Sequence, residues 1–130
     1  DTVMTIKTIS TDKAPAAVGP YSQAACHGPW VFCSGQVPID PAIGKLIDGD
    51  IQEQTHQVMK NLKNVLEAAE LNFSNVVRTT IFLQDMENFS KVNEVYASYF
   101  TPPFPARATI EVAKLPLGAD VEIDAIACRD

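Results

Sequence analysis

Between Asp50 and Leu71 the chain carries a helix with a single apolar face, and this one-sidedness restricts the fold more than any other feature. Ile51, Thr55, Val58, Met59, Leu62, Val65, Leu66 and Ala69 recur at helical spacing while the opposite face is polar. Asp50 is placed to cap the first turn, with Glu53 three residues on to complete a capping box. A second amphipathic helix is expected over Asp85–Phe100, with Phe89, Val92, Val95, Tyr96, Tyr99 and Phe100 pointing mainly inward and Asp85 able to cap. Both helices must lay their stripes on another apolar surface, and the rest of the chain reads as strands.

Thr2–Ile9 alternates modestly and reads as a strand near a sheet edge. Ser10–Pro20 is a loop that delivers Tyr21, a residue set to wall a pocket or cap a core. Ser22–His27 and Trp30–Val37 flank Gly28-Pro29 as a hairpin; Trp30, Phe32, Ser34 and Gln36 share one face, and Val31, Cys33, Gly35 and Val37 the other. Gly35 inside this strand marks a bulge or a close approach by a ligand or another chain. Pro38–Gly49 is a loop. Val76–Gln84 follows as a strand with Val77, Thr79, Ile81 and Leu83 on one face and Val76, Arg78, Thr80, Phe82 and Gln84 on the other. In the last strand, Asp120–Arg129, Val121, Ile123, Ala125 and Ala127 oppose Glu122, Asp124, Ile126 and Cys128.

The order ββ β α β α β β predicts one α+β domain over residues 1–130, with two helices covering one face of a mixed, mostly antiparallel sheet. The uncovered face keeps Phe82 or Leu83, Ile126 and Cys128, more apolar surface than water-facing sheet should carry, so self-association is expected.

Pro103 and Pro105 hold the approach to Arg107 extended; beyond it Ala108, Ile110 and Val112 alternate with Arg107, Thr109 and Glu111. A guanidinium fixed beside a rigid loop can grip a planar anion with two parallel bonds, which makes a small carboxylate the first substrate class to consider. The alternative is a surface ion pair.

Charge narrows the partners. A net charge of −6 disfavours nucleic acid, whose binding depends on clustered Lys and Arg. Three cysteines without CxxC spacing read as reduced thiols, and neither His27 nor His56 has a second ligand at metal-binding spacing, so no metal is expected. No apolar run reaches the roughly 20 residues needed to cross a bilayer, and a soluble, intracellular protein is expected, cytoplasmic with an organelle left open.

Gly19-Pro20-Tyr21-Ser22-Gln23, Ser34-Gly35-Gln36, Asn88-Phe89-Ser90-Lys91-Val92-Asn93, Phe104-Pro105-Ala106-Arg107 and Leu115-Pro116 ahead of Glu122-Ile123-Asp124-Ala125 occur in succession. In this order they closely resemble the RidA/YjgF family of reactive-intermediate (enamine/imine) deaminases. The resemblance implies a chorismate-mutase-like fold and a homotrimer with a central barrel and sites in the clefts between subunits. It also implies cofactor-independent hydrolysis of 2-imino acids and their enamine tautomers, such as 2-iminobutanoate and 2-iminopropanoate, to 2-keto acids and ammonia.

Carried over residue by residue, the resemblance makes Arg107 the carboxylate-binding arginine and Glu122 the acid beside the attacking water. It places Tyr21, Ser34, Gly35 and Asn93 around the substrate. Spacing alone leaves Glu122 an exposed strand carboxylate and Asn93 on a solvated helix face. Thr109 stands where some members carry cysteine, which removes any thiol role there, although its backbone carbonyl can still hold a water. The expected absence of cofactor agrees with a sequence lacking a Gly-rich phosphate loop and a Ser-His-Asp or Cys-His set. Two other readings stand beside the deaminase: a non-catalytic trimer that binds small carboxylates or buries chaperone clients, and a ribonuclease or translation inhibitor.

Overall fold

The computed structural model describes residues 5–130, which form an α+β domain. Strands β1 (Lys7–Ile9), β2 (Ala24–His27) and β3 (Trp30–Gln36) precede helix α1 (Ile51–Ala68); β6 (Val76–Leu83), helix α2 (Phe89–Ala97), β7 (Ala106–Glu111) and β8 (Val121–Cys128) follow it. The 38–49 segment, expected as a loop, folds back on itself as the two-residue strands β4 (Ile39–Asp40) and β5 (Lys45–Leu46). The main sheet runs β1-β2-β3-β8-β6-β7, with β6–β7 parallel and its other pairs antiparallel. Thr2–Met4 of the first expected strand lie outside the described residues, and β1 sits at the sheet edge as expected.

Helix α1 begins where its capping box requires: Asp50 Oδ1 accepts from the Glu53 amide at 2.8 Å and Glu53 Oε1 accepts from the Asp50 amide at 3.2 Å. Its stripe is buried on β8 and β3, where Val58, Met59, Leu62, Val65 and Leu66 meet Val31, Val121, Ile123, Ala125 and Ala127. Each large side chain so buried contributes about 1.5–3 kcal/mol. The second helix is shorter than expected. Asp85 caps a single 3₁₀ turn, Met86–Asn88, by accepting from the Glu87 amide at 3.0 Å, and α2 starts only at Phe89.

The β2–β3 hairpin turns through Gly28, whose φ of 59° lies in the left-handed region that suits glycine. Two bulges then alter the faces expected from strict alternation. Cys33 pairs with Ala125 but Gln36 pairs with Ile123, so Ser34-Gly35 spans one residue more than its partner strand and turns Gln36 to the core side, where it is buried. On β6, Val76 pairs with Ala127 and Arg78 with Ile126; Val77 is the extra residue. Val76 is therefore the buried one, whereas Val77, expected on the same face as Thr79, is exposed.

The helix-free face carries Trp30 and Phe32, exposed at 43% and 47%, with Ile126, Phe82 and Ile110 along the same surface. Of the two residues considered for this face, Phe82 lies on it and Leu83 is in the core.

Candidate functional site

Arg107 lies on edge strand β7 directly opposite Thr79 of β6, so its side chain leaves the sheet on the helix side. There α2 presents Phe89, Asn93 and Tyr96, spaced by four and three residues along one helix face. Arg107 Nη1 donates to Asn93 Oδ1 at 2.7 Å. Its guanidinium carbon stands 5.1 Å from the Tyr96 ring centroid and 5.4 Å from that of Phe89. These three partners are uncharged, which leaves the remaining guanidinium donors and the whole positive charge available to an anion. The surface-ion-pair alternative therefore does not describe this environment. A cleft of about 420 Å³ opens here, lined by Asn93, Tyr96, Ala97, Phe104, Pro105 and Arg107. Thr109, two residues along β7 and opposite Ile81, shares the Arg107 face and is half-buried.

Tyr21, Ser34, Gly35 and Glu122 belong to a second group. Tyr21 is 53% exposed and walls a cleft that also includes Ser22, Phe32 and Ser34, which decides between its two expected roles. Ser34 Oγ donates to the Ser22 carbonyl at 2.6 Å and the Ser34 amide to the Gln23 carbonyl at 3.0 Å, tying the bulge to the segment that carries Tyr21. Of the two readings of this strand glycine the bulge holds, and the close neighbour is a side chain of the same protein. Gly35 sits in the bulge, and a Cβ on it would lie 2.9 Å from Glu122 Cδ, closer than carbon atoms pack.

Glu122 pairs with Phe82 on the helix-free face, half-buried. Burial pushes its carboxyl above the usual range, and the charge of Asp124, two residues along the same face, pushes it further. A half-buried carboxyl raised in this way suits proton exchange with a water. Arg107 and Glu122, however, project from opposite faces, with β6 between their strands.

Several contributors carry no sequence signal. Gln23 is buried, with Nε2 donating to the Thr11, Ala14 and Pro15 carbonyls and Oε1 accepting from the Thr11 amide, so it builds the loop leading to Tyr21. Asn61, fully buried within the apolar stripe of α1, donates to the Val37 and Ile39 carbonyls and anchors the chain leaving β3. Phe104 and Tyr96 shape the arginine cleft, and only their membership of quoted motifs or stripes could have drawn notice.

The cysteines are free, and Cys33 is buried with its thiol pushed up to about 12 by burial, Cys26 and Asp124. Among the described residues no cluster of three or more His, Cys, Asp or Glu gathers to hold a metal, and no helix is long and apolar enough to cross a membrane.

The fold and these two clefts define a small α+β protein with an arginine held by uncharged partners on one side of a sheet and a half-buried glutamate with a raised carboxyl on the other. The Endoribonuclease L-PSP family model matches residues 11–129, and the chain belongs to this family, the RidA/YjgF family. It is 55% identical over 126 residues to Protein DfrA of Myxococcus xanthus, covering 95% of this chain and 96% of that one. It is 52% identical over 123 residues to the 2-iminobutanoate/2-iminopropanoate deaminase of Mus musculus, covering 95% and 91%. The crystal structure of E. coli TdcF with bound serine superposes with a TM-score of 0.91 at 38% identity, over 95% of this chain and 99% of that one. Yeast Mmf1 gives 0.93 at 40% identity, over 97% and 100%.

Proposed function

We propose that this protein is a cofactor-independent deaminase that hydrolyses 2-imino acids, including 2-iminobutanoate and 2-iminopropanoate, to 2-keto acids and ammonia. The observation that carries the reading is the uncharged cradle of Arg107, a guanidinium held by an amide and two aromatic rings at the mouth of a cleft. Relatives about half identical are named as deaminases of these imino acids, and a structural relative holds serine, itself a small 2-substituted carboxylate.

Arg107 takes the substrate carboxylate through paired charge-assisted bonds, which fixes C2 for attack. Water adds to C2 of the protonated imine as one water proton passes to the Glu122 carboxylate, giving a neutral carbinolamine. Glu122 then returns that proton to nitrogen, the C–N bond breaks, and the hydroxyl proton passes back to the Glu122 carboxylate as ammonia leaves and the C2 carbonyl forms. An imine is electrophilic enough that positioning and one proton acceptor suffice.

Both groups can act on one substrate if a second copy brings its helix-free face, with Glu122, against the β7 edge that carries Arg107. The apolar face formed by Trp30, Phe32, Ile126, Phe82 and Ile110 supports that association. We assign it as a homotrimer with sites between subunits.

The test is the decay of a 2-imino acid generated in place by an amino-acid oxidase, with wild type and Arg107→Ala compared at equal concentration. Accelerated imine loss with keto-acid release by wild type alone supports the deaminase and gives Arg107 the carboxylate. Acceleration by neither, with carboxylate binding retained, returns the protein to a non-catalytic binder. Loss of the oligomer in Arg107→Ala would reassign that residue to structure.

A further inference from the structure

Arg107 is gripped from one side by α2, and the floor of that grip is itself tethered to the sheet. Tyr96 is 5% exposed and its hydroxyl meets that of Thr79 at 2.7 Å; Thr79, 2% exposed, is the β6 residue directly opposite Arg107. The strand that flanks Arg107 thus also holds the ring on which the guanidinium rests. Phe100 also packs on this ring, at a centroid separation of 4.7 Å.

This hydroxyl pair is a poor device for stability alone. Valine at position 79 suits a buried strand better than threonine, phenylalanine would fill the Tyr96 site, and a buried neutral hydrogen bond little more than offsets the desolvation of its two partners. What the pair does provide is geometry. A ring held only by packing can tilt and slide, whereas a ring also tied at its para position cannot, and a cation over a π face depends on both coordinates.

We propose that Thr79 and Tyr96 form a positioning pair for Arg107: their buried hydroxyl bond locks the Tyr96 ring under the guanidinium, so that its free donors face the cleft in the orientation a carboxylate needs. Phe89 and Asn93 hold the same group from the same helix face, so α2 is aligned on the arginine at three points, of which only Tyr96 is bonded to β6. The bonded hydroxyls lie buried behind the ring face that lines the cleft, so the pair acts through Arg107. Their effect on catalysis rests on the deaminase reading; their effect on the arginine does not.

The experiment uses the full chain as Tyr96→Phe, Thr79→Val and the double variant, with two readouts independent of turnover. The first is the NMR signal of the Arg107 Nε–Hε group, assigned by its loss in Arg107→Lys and displaced in wild type by the ring current of Tyr96. The second is calorimetric titration with 2-oxobutanoate, a stable carboxylate of the product class. Each single variant should move the arginine signal toward its solvent-exposed position and weaken 2-oxobutanoate about 5- to 10-fold, as for loss of one buried hydrogen bond. The double variant should be no worse than either single one, because both remove the same bond. In turnover KM should rise by a similar factor while kcat changes less than about twofold, as expected for a carboxylate grip used in ground and transition states alike. Thr79→Ser, which keeps the hydroxyl, should restore the signal and the affinity, and this rescue separates positioning from mere folding. An unmoved arginine signal in either single variant, additive losses in the double, or no rescue by serine overturns the proposal, even if imine hydrolysis is intact. Absence of imine hydrolysis in wild type, with the signal and its rescue as described, would leave the positioning pair standing and remove only the deaminase reading.

Discussion

Arg107 and Glu122 leave opposite faces of one sheet, from strands β7 and β8 that are both bonded to β6. No side-chain rotation brings two such groups onto one small substrate within a single chain. If the site is completed by a neighbouring copy, Arg107→Ala and Glu122→Gln should each be inactive alone and complement each other when unfolded together and refolded. Random mixing in equal amounts puts an intact arginine against an intact glutamate in about a quarter of sites, as for any closed heterologous ring. Activity near that fraction in the mixture, measured as keto-acid release, supports a shared site; none at all would mean that Arg107 and Glu122 do not act together on one substrate.

Gly35 leaves room for the Glu122 side chain, and alanine there would place a Cβ 2.9 Å from Glu122 Cδ. Gly35→Ala should displace the carboxylate and lower kcat about 100-fold, the scale of a misplacement near 1 Å. Affinity for 2-oxobutanoate, whose carboxylate Arg107 holds, should remain within a factor of about two, because the clash falls on Glu122 and not on the arginine. Equal losses of kcat and affinity would show that the bulge shapes the carboxylate end as well.

The raised Glu122 carboxyl has a pH signature. Burial and then Asp124 lift it, so the base form disappears on acidification sooner than for an ordinary glutamate, and the acid limb of kcat/KM should lie above the usual carboxylate range. Asp124→Asn removes the second cause and should move that limb to lower pH; an unmoved limb would assign it to another group. The sign for stability is the reverse of a salt-bridged acid. The folded state binds this proton more tightly than the unfolded state, so stability from this group is full below the unfolded pKa and declines as pH rises through the folded one. Glu122→Gln should therefore melt higher than wild type at neutral pH and alike below roughly pH 3, where the carboxyl is protonated in both states.

Asn61 is fully buried and donates one hydrogen bond to each of the Val37 and Ile39 carbonyls. Asn61→Ala should cost about 1–3 kcal/mol, since it removes the side-chain donor from both carbonyls, of which Val37 keeps the Ile39 amide at 2.7 Å, and opens a small void. Urea unfolding should show the midpoint falling with little change in slope. An unchanged midpoint would mean that water replaces the amide at no cost.

Much of the fold was legible because its signals are local. The α1 stripe, the Asp50–Glu53 capping box, the Gly28 turn and the alternation of β8 each depend on residues near in sequence. The errors fall where an extra residue enters a strand. Alternation groups Val77 with Thr79 and Gln36 with Trp30 and Phe32, but bulges move both to the opposite face, and a bulge is set by pairing with a distant strand. The short β4–β5 pair was missed because two-residue strands have no period to detect, and the start of α2 because Asp85 caps a 3₁₀ turn as readily as a helix. Gln23 and Asn61 were invisible for a related reason: nothing in a sequence marks which amides will be buried against distant carbonyls.

By itself the sequence determined the elements, the family and the identity of the candidate groups, because helix stripes, caps, turn glycines and successive motifs are written in short windows. Only the tertiary structure decided that Arg107 is cradled by Phe89, Asn93 and Tyr96, that Tyr96 is tied to Thr79, and that Arg107 and Glu122 face opposite ways. Each of these depends on strand order and register, and strand pairing is a relation between residues far apart in the chain that no local pattern encodes.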